Sequence, residues 1–148
     1  GFEGFVSVKD LKEDFKSGGI PKVEGVYHVL RLKDSEPEFL TKGLGGYHKG
    51  KEPNVSIDVL RQNWIDAEPI VYIGKATELY KRIQQYIKFG SGKNVGHFGG
   101  RYIWQLADSD DLIVCWKCVS DSRSVESAMI ADFKNSHNGM RPFANLKD

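Results

Sequence analysis

The sequence predicts a small α/β or α+β domain in which a β-sheet of about three strands is flanked by helices. Three observations carry this. Three short runs (23–32, 69–74 and 111–119) are rich in β-branched and aromatic residues, and three segments (7–17, 77–89 and 124–139) place apolar residues at helical spacing between cap and stop signals. The length of 148 residues suits one hydrophobic core, so residues 1–148 are expected to form a single domain.

Each element follows from its residues. In SVKDLKEDFKSGG, Ser7 is a candidate N-cap, Val8, Leu11 and Phe15 share a helical face, and Gly18-Gly19 is a stop, which predicts helix 7–17. Gly1 stands where an initiator Met would be expected, and the residues before Ser7 enter no predicted element. Pro21 precedes the first strand, 23–32. Residues 33–68 are then rich in Gly, Pro, Lys and acidic residues, apart from IDVLRQNWI, which can form a helix capped by Ser56. At 36 residues this is an insertion rather than a turn.

PIVYIG is the second strand, and TELYKRIQQYIKF is a helix with Thr77 at its N-cap and Gly90 as its stop. SGKNVGHFGG is a glycine-rich loop, and RYIWQL is too short to assign. DLIVCWKCV is the third strand, where Cys115 and Cys118, three residues apart, point to opposite faces. Neither has a partner at finger spacing among the four histidines, so both are expected to be buried or half-buried thiols rather than zinc ligands. SVESAMIADFKNSHNG is a helix capped by Ser122 or Ser124 and ended by Asn138-Gly139; the tail MRPFANLKD is irregular.

A composition of 40% hydrophobic and 28% charged residues is that of an ordinary water-soluble protein. No run approaches the roughly eighteen apolar residues of a membrane helix and the N-terminal stretch lacks a signal-peptide pattern, so no membrane partner and a cytoplasmic location are expected. GGYHKGK (45–51) imitates a phosphate-binding loop, but Glu52 replaces the Mg²⁺-binding hydroxyl, Pro53 interrupts the helix that should follow, and no buried strand precedes it. No nucleotide cofactor is expected. The net charge is only +1, yet residues 72–101 carry Lys75, Lys81, Arg82, Lys88, Lys93 and Arg101 against Glu78 alone. Such a cluster is either a solvated basic face or an anion-binding surface.

On the second predicted helix Leu79, Arg82, Ile83 and Tyr86 fall at i, i+3, i+4 and i+7, which sets a guanidinium and a phenol beside the apolar stripe. Lys75 lies just before that helix, where unpaired N–H groups favour an anion, and Tyr72 ends the preceding strand. Together they outline a phosphate-sized cradle, although singly the tyrosines read as core and the cations as surface charges. Glu126 lies in line with Ile130 and Phe133, at the margin of an apolar face. His97 and Arg101, with Trp104, could contact nucleic acid beside the cradle.

The ordered set GVY (25–27), YIG (72–74), KATELYKRIQQY, a later helix with Glu126, and Asn145 resembles the GIY-YIG nuclease superfamily, most closely the incision nuclease domain of bacterial excision repair. The resemblance covers roughly 23–32 and 70–145. It implies a small, mainly antiparallel sheet and a DNA endonuclease using Mg²⁺ (or Mn²⁺) held by Glu126 as its single protein carboxylate. It also implies Tyr27 as general base, directly or through a second water, with the metal and Lys75 helping to stabilise phenolate, Arg82 on the scissile phosphate, Tyr72 and Tyr86 positioning water or phosphate, and Asn145 bracing the site or touching the backbone near the metal. Lys81, Lys88, Lys93 and Arg61 join His97 and Arg101 as expected nucleic-acid contacts.

The sequence departs from the family at insertion 33–68, which separates Tyr27 from Tyr72 by 45 positions and carries Lys42, Lys49, Lys51, Arg61, Asn63 and Trp64. The two strands still pair if the insertion leaves and returns at one end of the sheet. The insertion reads as a DNA-reading protrusion, a lid or a dimer contact. Competing readings are a catalytically vestigial DNA-binding adaptor and an RNA-directed nuclease. Repair, restriction and mobile-element roles are all compatible, and one cradle handles one strand, so a homodimer could make two cuts.

Overall fold

Four strands form one antiparallel sheet in the order β1-β4-β2-β3, from β1 (Glu3–Ser7), β2 (Gly25–Leu30), β3 (Ile70–Ala76) and β4 (Ile113–Cys118). The helices are α1 (Val8–Glu13), α2 (Ile57–Asn63), α3 (Leu79–Gly90) and α4 (Ser122–Ser136). These come from a computed structural model, which describes residues 1–47, 50–95 and 99–147. The architecture is α+β.

The fourth strand corrects the expectation of about three. Residues Glu3–Ser7 lack alternation, but they pair with Trp116–Ile113 across a bulge between Gly4 and Val6, with Gly4 and Phe5 at positive φ. Tertiary pairing recruits this segment, not its local pattern. The expected helix 7–17 is α1 followed by a short 3₁₀ turn, Phe15–Gly18, because Asp14 leaves helical geometry. Ser7 caps α1 and Ser56 caps α2 as their positions suggest. Thr77 does not cap α3: the cap is Glu78, whose carboxylate accepts from Lys81 N at 3.1 Å. Neither Ser122 nor Ser124 caps α4; Asp121 does, in the left-handed region, by accepting from Ser124 N. RYIWQL is a 3₁₀ turn over Arg101–Gln105. Cys115 is buried and Cys118 is exposed near the end of β4, so the expectation of two buried or half-buried thiols holds for Cys115 alone. Burial pushes the Cys115 thiol up to about 11, which leaves it inert at neutral pH.

Two apolar layers cover the sheet. Tyr27, Val29, Val71 and Tyr72 face Leu79, Ile83, Tyr86 and Trp104, while Ile73 faces Ile130 and Phe133 of α4 on the other side. The insertion leaves and re-enters at one end of the β2–β3 pair, where Arg31 N donates to Pro69 O at 2.8 Å. The buried Arg31 guanidinium holds that exit, with Nε on Asp108 Oδ2 (3.0 Å), Nη1 on the carbonyls of Lys33 (3.2 Å) and Ser35 (2.8 Å), and its plane over Trp64.

The insertion is therefore largely part of the body. Gln105, 1% exposed, accepts from Val55 N (2.9 Å) and donates to the carbonyls of Leu40 (3.0 Å) and Val55 (2.9 Å). Leu40 N and Leu44 N donate to the carbonyls of Gln105 and Trp104, and Ala107 N donates to Glu38 O. Trp64 packs edge-on against Phe39 and Phe143, with the Arg61 guanidinium above Phe39.

Candidate active site

The β2–β3 register settles whether the insertion brings Tyr27 back to Tyr72. Tyr27 lies opposite Gly74 and Val29 opposite Tyr72, so the two tyrosines are diagonal neighbours on one face with ring centroids 6.0 Å apart. A side chain at position 74 would occupy the space of the Tyr27 ring, which explains why glycine stands there. Tyr86 of α3 stacks on Tyr72 at 5.6 Å and 19°, touches Trp104 at 5.1 Å, and donates its hydroxyl to Gly100 O at 3.2 Å.

Because β3 is the edge of the sheet, groups from both of its faces reach one space. A cavity of about 840 Å³ opens there. Tyr72 and Arg82 line it from the α3 side, Lys75 and Glu126 from the α4 side, and Asn145 and Lys147 from the tail. Lys75 Nζ donates to Glu126 Oε1 at 3.3 Å, with the Lys75 side chain 46% exposed and Glu126 14%. The ammonium is the exposed half of this pair, which leaves it able to turn to a bound phosphate. Arg82 is half-buried and donates from Nη1 to Gln85 Oε1 at 3.3 Å.

Asn145 braces the edge strand from outside. Its Oδ1 accepts from Ile73 N and its Nδ2 donates to Ile73 O, both at 2.9 Å, and Ala144 N donates to Val71 O. The tail thus closes the edge over residues 71–73 and leaves it open at Lys75.

Burial raises all three phenols above the usual tyrosine value. For Tyr72 burial is opposed by the Arg82 charge and by a hydrogen bond from Tyr27, with Glu126 acting alongside burial. Tyr27 is raised further by burial, then by Tyr72, against Arg82; Tyr86 is raised by burial and then by its two tyrosine neighbours. Tyr27 and Tyr86 are fully buried and do not line the cavity, whereas Tyr72 does. The base role expected of Tyr27 would therefore run through Tyr72 or a second water rather than by direct contact. Tyr27 stands behind Tyr72.

The structure corrects the expectation of an open helix N-terminus. The leading N–H groups of α3 are consumed: Leu79 N by Val23 O, Tyr80 N by Pro21 O, and Lys81 N by the Glu78 carboxylate. The cradle is made of side chains, not of a helix end. Arg101 is half-buried, its pKa lowered by burial and its guanidinium 5.5 Å from the Tyr102 ring, and it does not line the cavity. Lys81, Lys88 and Lys93 are exposed outside it. Arg61 lies against Phe39. His97 and Lys49 fall outside the described residues.

Some lining residues carry no clear local signal. Glu24 reaches across 98 positions to accept from Ser122 N at 2.9 Å, a bond that holds its carboxyl below the usual range. Arg123 was more legible, since it precedes Glu126 by one helical turn.

The donor set can be tested against a divalent ion. Among the described residues no group of three or more His, Cys, Asp or Glu side chains is placed to hold a metal. Of the cavity carboxylates, Glu24 and Asp121 each accept a backbone N–H of α4, whereas Glu126 meets the Lys75 ammonium at 3.3 Å. One carboxylate suits Mg²⁺ or Mn²⁺, hard ions that keep most of their waters and share phosphate oxygens, and does not suit zinc.

Comparison with protein-family models, with curated proteins and with solved structures returns no match. No helix among the described residues is long and apolar enough to cross a membrane.

Proposed function

We propose that the protein is a metal-dependent endonuclease that hydrolyses DNA phosphodiesters. The observation that carries this reading is the convergence of Tyr72, Lys75, Arg82 and Glu126, from β3, α3 and α4, on one cavity at the sheet edge. The order of these residues in the chain supports the same reading through its resemblance to GIY-YIG nucleases.

In this reading Arg82 receives the scissile phosphate through its planar fork and stabilises the charge that grows on the phosphate oxygens. Lys75, hydrated and only loosely paired to Glu126, adds a second positive charge. Tyr72 acts as phenolate. It first loses its own proton to solvent at the open edge, with the Arg82 charge and the Tyr27 hydroxyl opposing the burial that favours the phenol. It then takes the proton of the attacking water at its phenolic oxygen. Tyr27 and Tyr86 hold the Tyr72 ring in place from behind. Glu126 is the residue that would hold Mg²⁺ or Mn²⁺, which when bound supplies charge neutralisation on the phosphate and water of lowered pKa. Asn145 fixes Ile73 and with it the strand that carries Tyr72 and Lys75.

Mapping the cleavage of plasmid, branched DNA and RNA with Mg²⁺ tests the proposal, with Glu126→Ala and Arg82→Ala beside the parent. Loss of roughly 10²-fold or more in each variant, with nucleic-acid binding retained, supports it. Binding without cleavage by all three proteins refutes it in favour of an adaptor, and preferential cutting of RNA reassigns the substrate.

A further inference from the structure

The structure divides the insertion into two halves with different fates. Its second half is structural: Trp64 packs on Phe39 and Phe143, Arg61 lies over Phe39, and Asn63 Nδ2 donates to Val59 O at 2.8 Å. Its first half is anchored by the buried Phe39 and then docks on the C-terminal end of α3, with Lys42, Leu44 and Tyr47 exposed. Gly46 N donates to Phe89 O at 2.9 Å, and a Cβ at Gly46 would strike the carbonyl of Lys93, so the two backbones touch.

This contact joins basic residues that the sequence keeps some forty positions apart. Lys42 and Lys51 from the insertion, and Lys88 and Lys93 from the end of α3 and its following loop, are all exposed. Tyr47, 43% exposed, stands among them. The local carboxylate, Glu52, is already committed: it accepts from Asn54 N at 2.9 Å and from the Tyr47 hydroxyl, which fixes the phenol. The result is a held aromatic ring inside a cluster of four lysines. It lies on the helix that carries Arg82, and the six residues from Arg82 to Lys88 advance about 9 Å along the axis.

We propose that this surface, Lys42, Tyr47, Lys51, Lys88 and Lys93, is a second nucleic-acid contact that receives the single strand leaving the cavity. The lysines take phosphates, and Tyr47 offers a ring on which a base stacks whatever its identity. The inference rests on the nuclease reading for the direction of the strand, but not for the existence of the surface. The insertion is then a strand guide fixed to the body rather than a mobile arm.

The test is fluorescence anisotropy of a labelled single-stranded oligonucleotide of about twenty residues across a salt series, on the full chain without added metal. Tyr47→Ala weakens binding roughly 5- to 150-fold with the salt slope unchanged, while Tyr47→Phe, which keeps the ring, stays within about twofold of the parent. Lys42→Ala/Lys51→Ala lowers the slope of log K against log salt by about 1.4, the release of two single-strand phosphate contacts. Unfolding midpoints near the parent's exclude misfolding.

Hydrolysis of bis(p-nitrophenyl) phosphate with Mn²⁺ needs only the cavity, so it stays unchanged in these variants and is lost in Glu126→Ala. Unchanged affinity and slope in the Tyr47 and lysine variants overturn the inference and leave the nuclease intact. Loss of binding in those variants without any hydrolysis by the parent supports the surface while removing the nuclease. A parent chain that binds no oligonucleotide, or binds heparin and the oligonucleotide alike with no dependence on Tyr47, also overturns it.

Discussion

Replacing Gly74 by alanine tests the aromatic stack behind the cavity. In an unconstrained strand the change stabilises by roughly 0.5–1 kcal/mol, because glycine loses more backbone freedom on folding. At this position the new Cβ would stand 2.7 Å from both Cε1 and the hydroxyl oxygen of Tyr27. The ring has nowhere to retreat, being fully buried with Tyr72 at 6.0 Å and Tyr86 at 6.4 Å. Overpacking of this kind costs about 1–3 kcal/mol, so the sign of the substitution reverses. A loss near 2 kcal/mol lowers the Tm by roughly 4–8 °C in a domain of this size. Tyr27→Ala alone costs about 3–5 kcal/mol by analogy with other buried aromatics. Once the ring is gone the Cβ meets nothing from Tyr27, and Gly74→Ala then adds no further loss in the double variant. Thermal and urea unfolding of the four proteins give a coupling of about 2 kcal/mol. Stabilisation by Gly74→Ala alone, or simple additivity in the double variant, refutes the reasoning.

Asn145→Ala removes two hydrogen bonds to Ile73 and costs about 1–3 kcal/mol, with faster hydrogen exchange at Ile73 and reduced cleavage as its signature. Gln105→Leu leaves polar backbone of Leu40 and Val55 unpartnered, so limited proteolysis within 38–56 accelerates before the sheet unfolds. His137 has a raised pKa, chiefly through its contact with Phe133 O and, against some desolvation, through Glu68, whose Oε1 lies 2.7 Å from Nε2. A raised folded-state pKa means stability that is complete below the unfolded value near 6.5 and is lost as pH rises through the folded value. The Tm therefore falls from about pH 6 upward, and a pH series on His137→Gln shows a smaller fall. Arg82→Lys keeps the charge but loses the fork; cleavage drops by roughly tenfold or more at saturating DNA while binding changes little, as paired kcat and Kd measurements show.

Local chemistry made most elements legible. Ser7 and Ser56 cap the helices they precede, and the 3.6-residue spacing of Leu79, Ile83 and Tyr86 sets the buried face of α3. β1 escaped because a bulged, glycine-containing edge segment has no alternation to read. The caps of α3 and α4 shifted because carboxylates at Glu78 and Asp121 outcompete nearby hydroxyls once tertiary contacts fix where each helix begins. The insertion's two halves could not be told apart in sequence, since basic and aromatic residues occur in both.

The site shows the same division. The sequence by itself determined which groups are available and how they are spaced: Tyr72, Lys75, Arg82 and Tyr86 within fifteen residues, Tyr27 before them and Glu126 after. Spacing within an element is fixed by helix and strand periodicity, so it can be read from the chain. Only the tertiary structure decided that β3 is an edge strand, which lets Lys75 and Glu126 share a cavity with Tyr72 and Arg82 from the opposite face. It alone decided that Tyr27 stands behind Tyr72, that backbone carbonyls occupy the α3 N-terminus, and that Gly46 meets the end of α3. These depend on contacts between distant segments, and such contacts are settled by packing and register rather than by any local pattern.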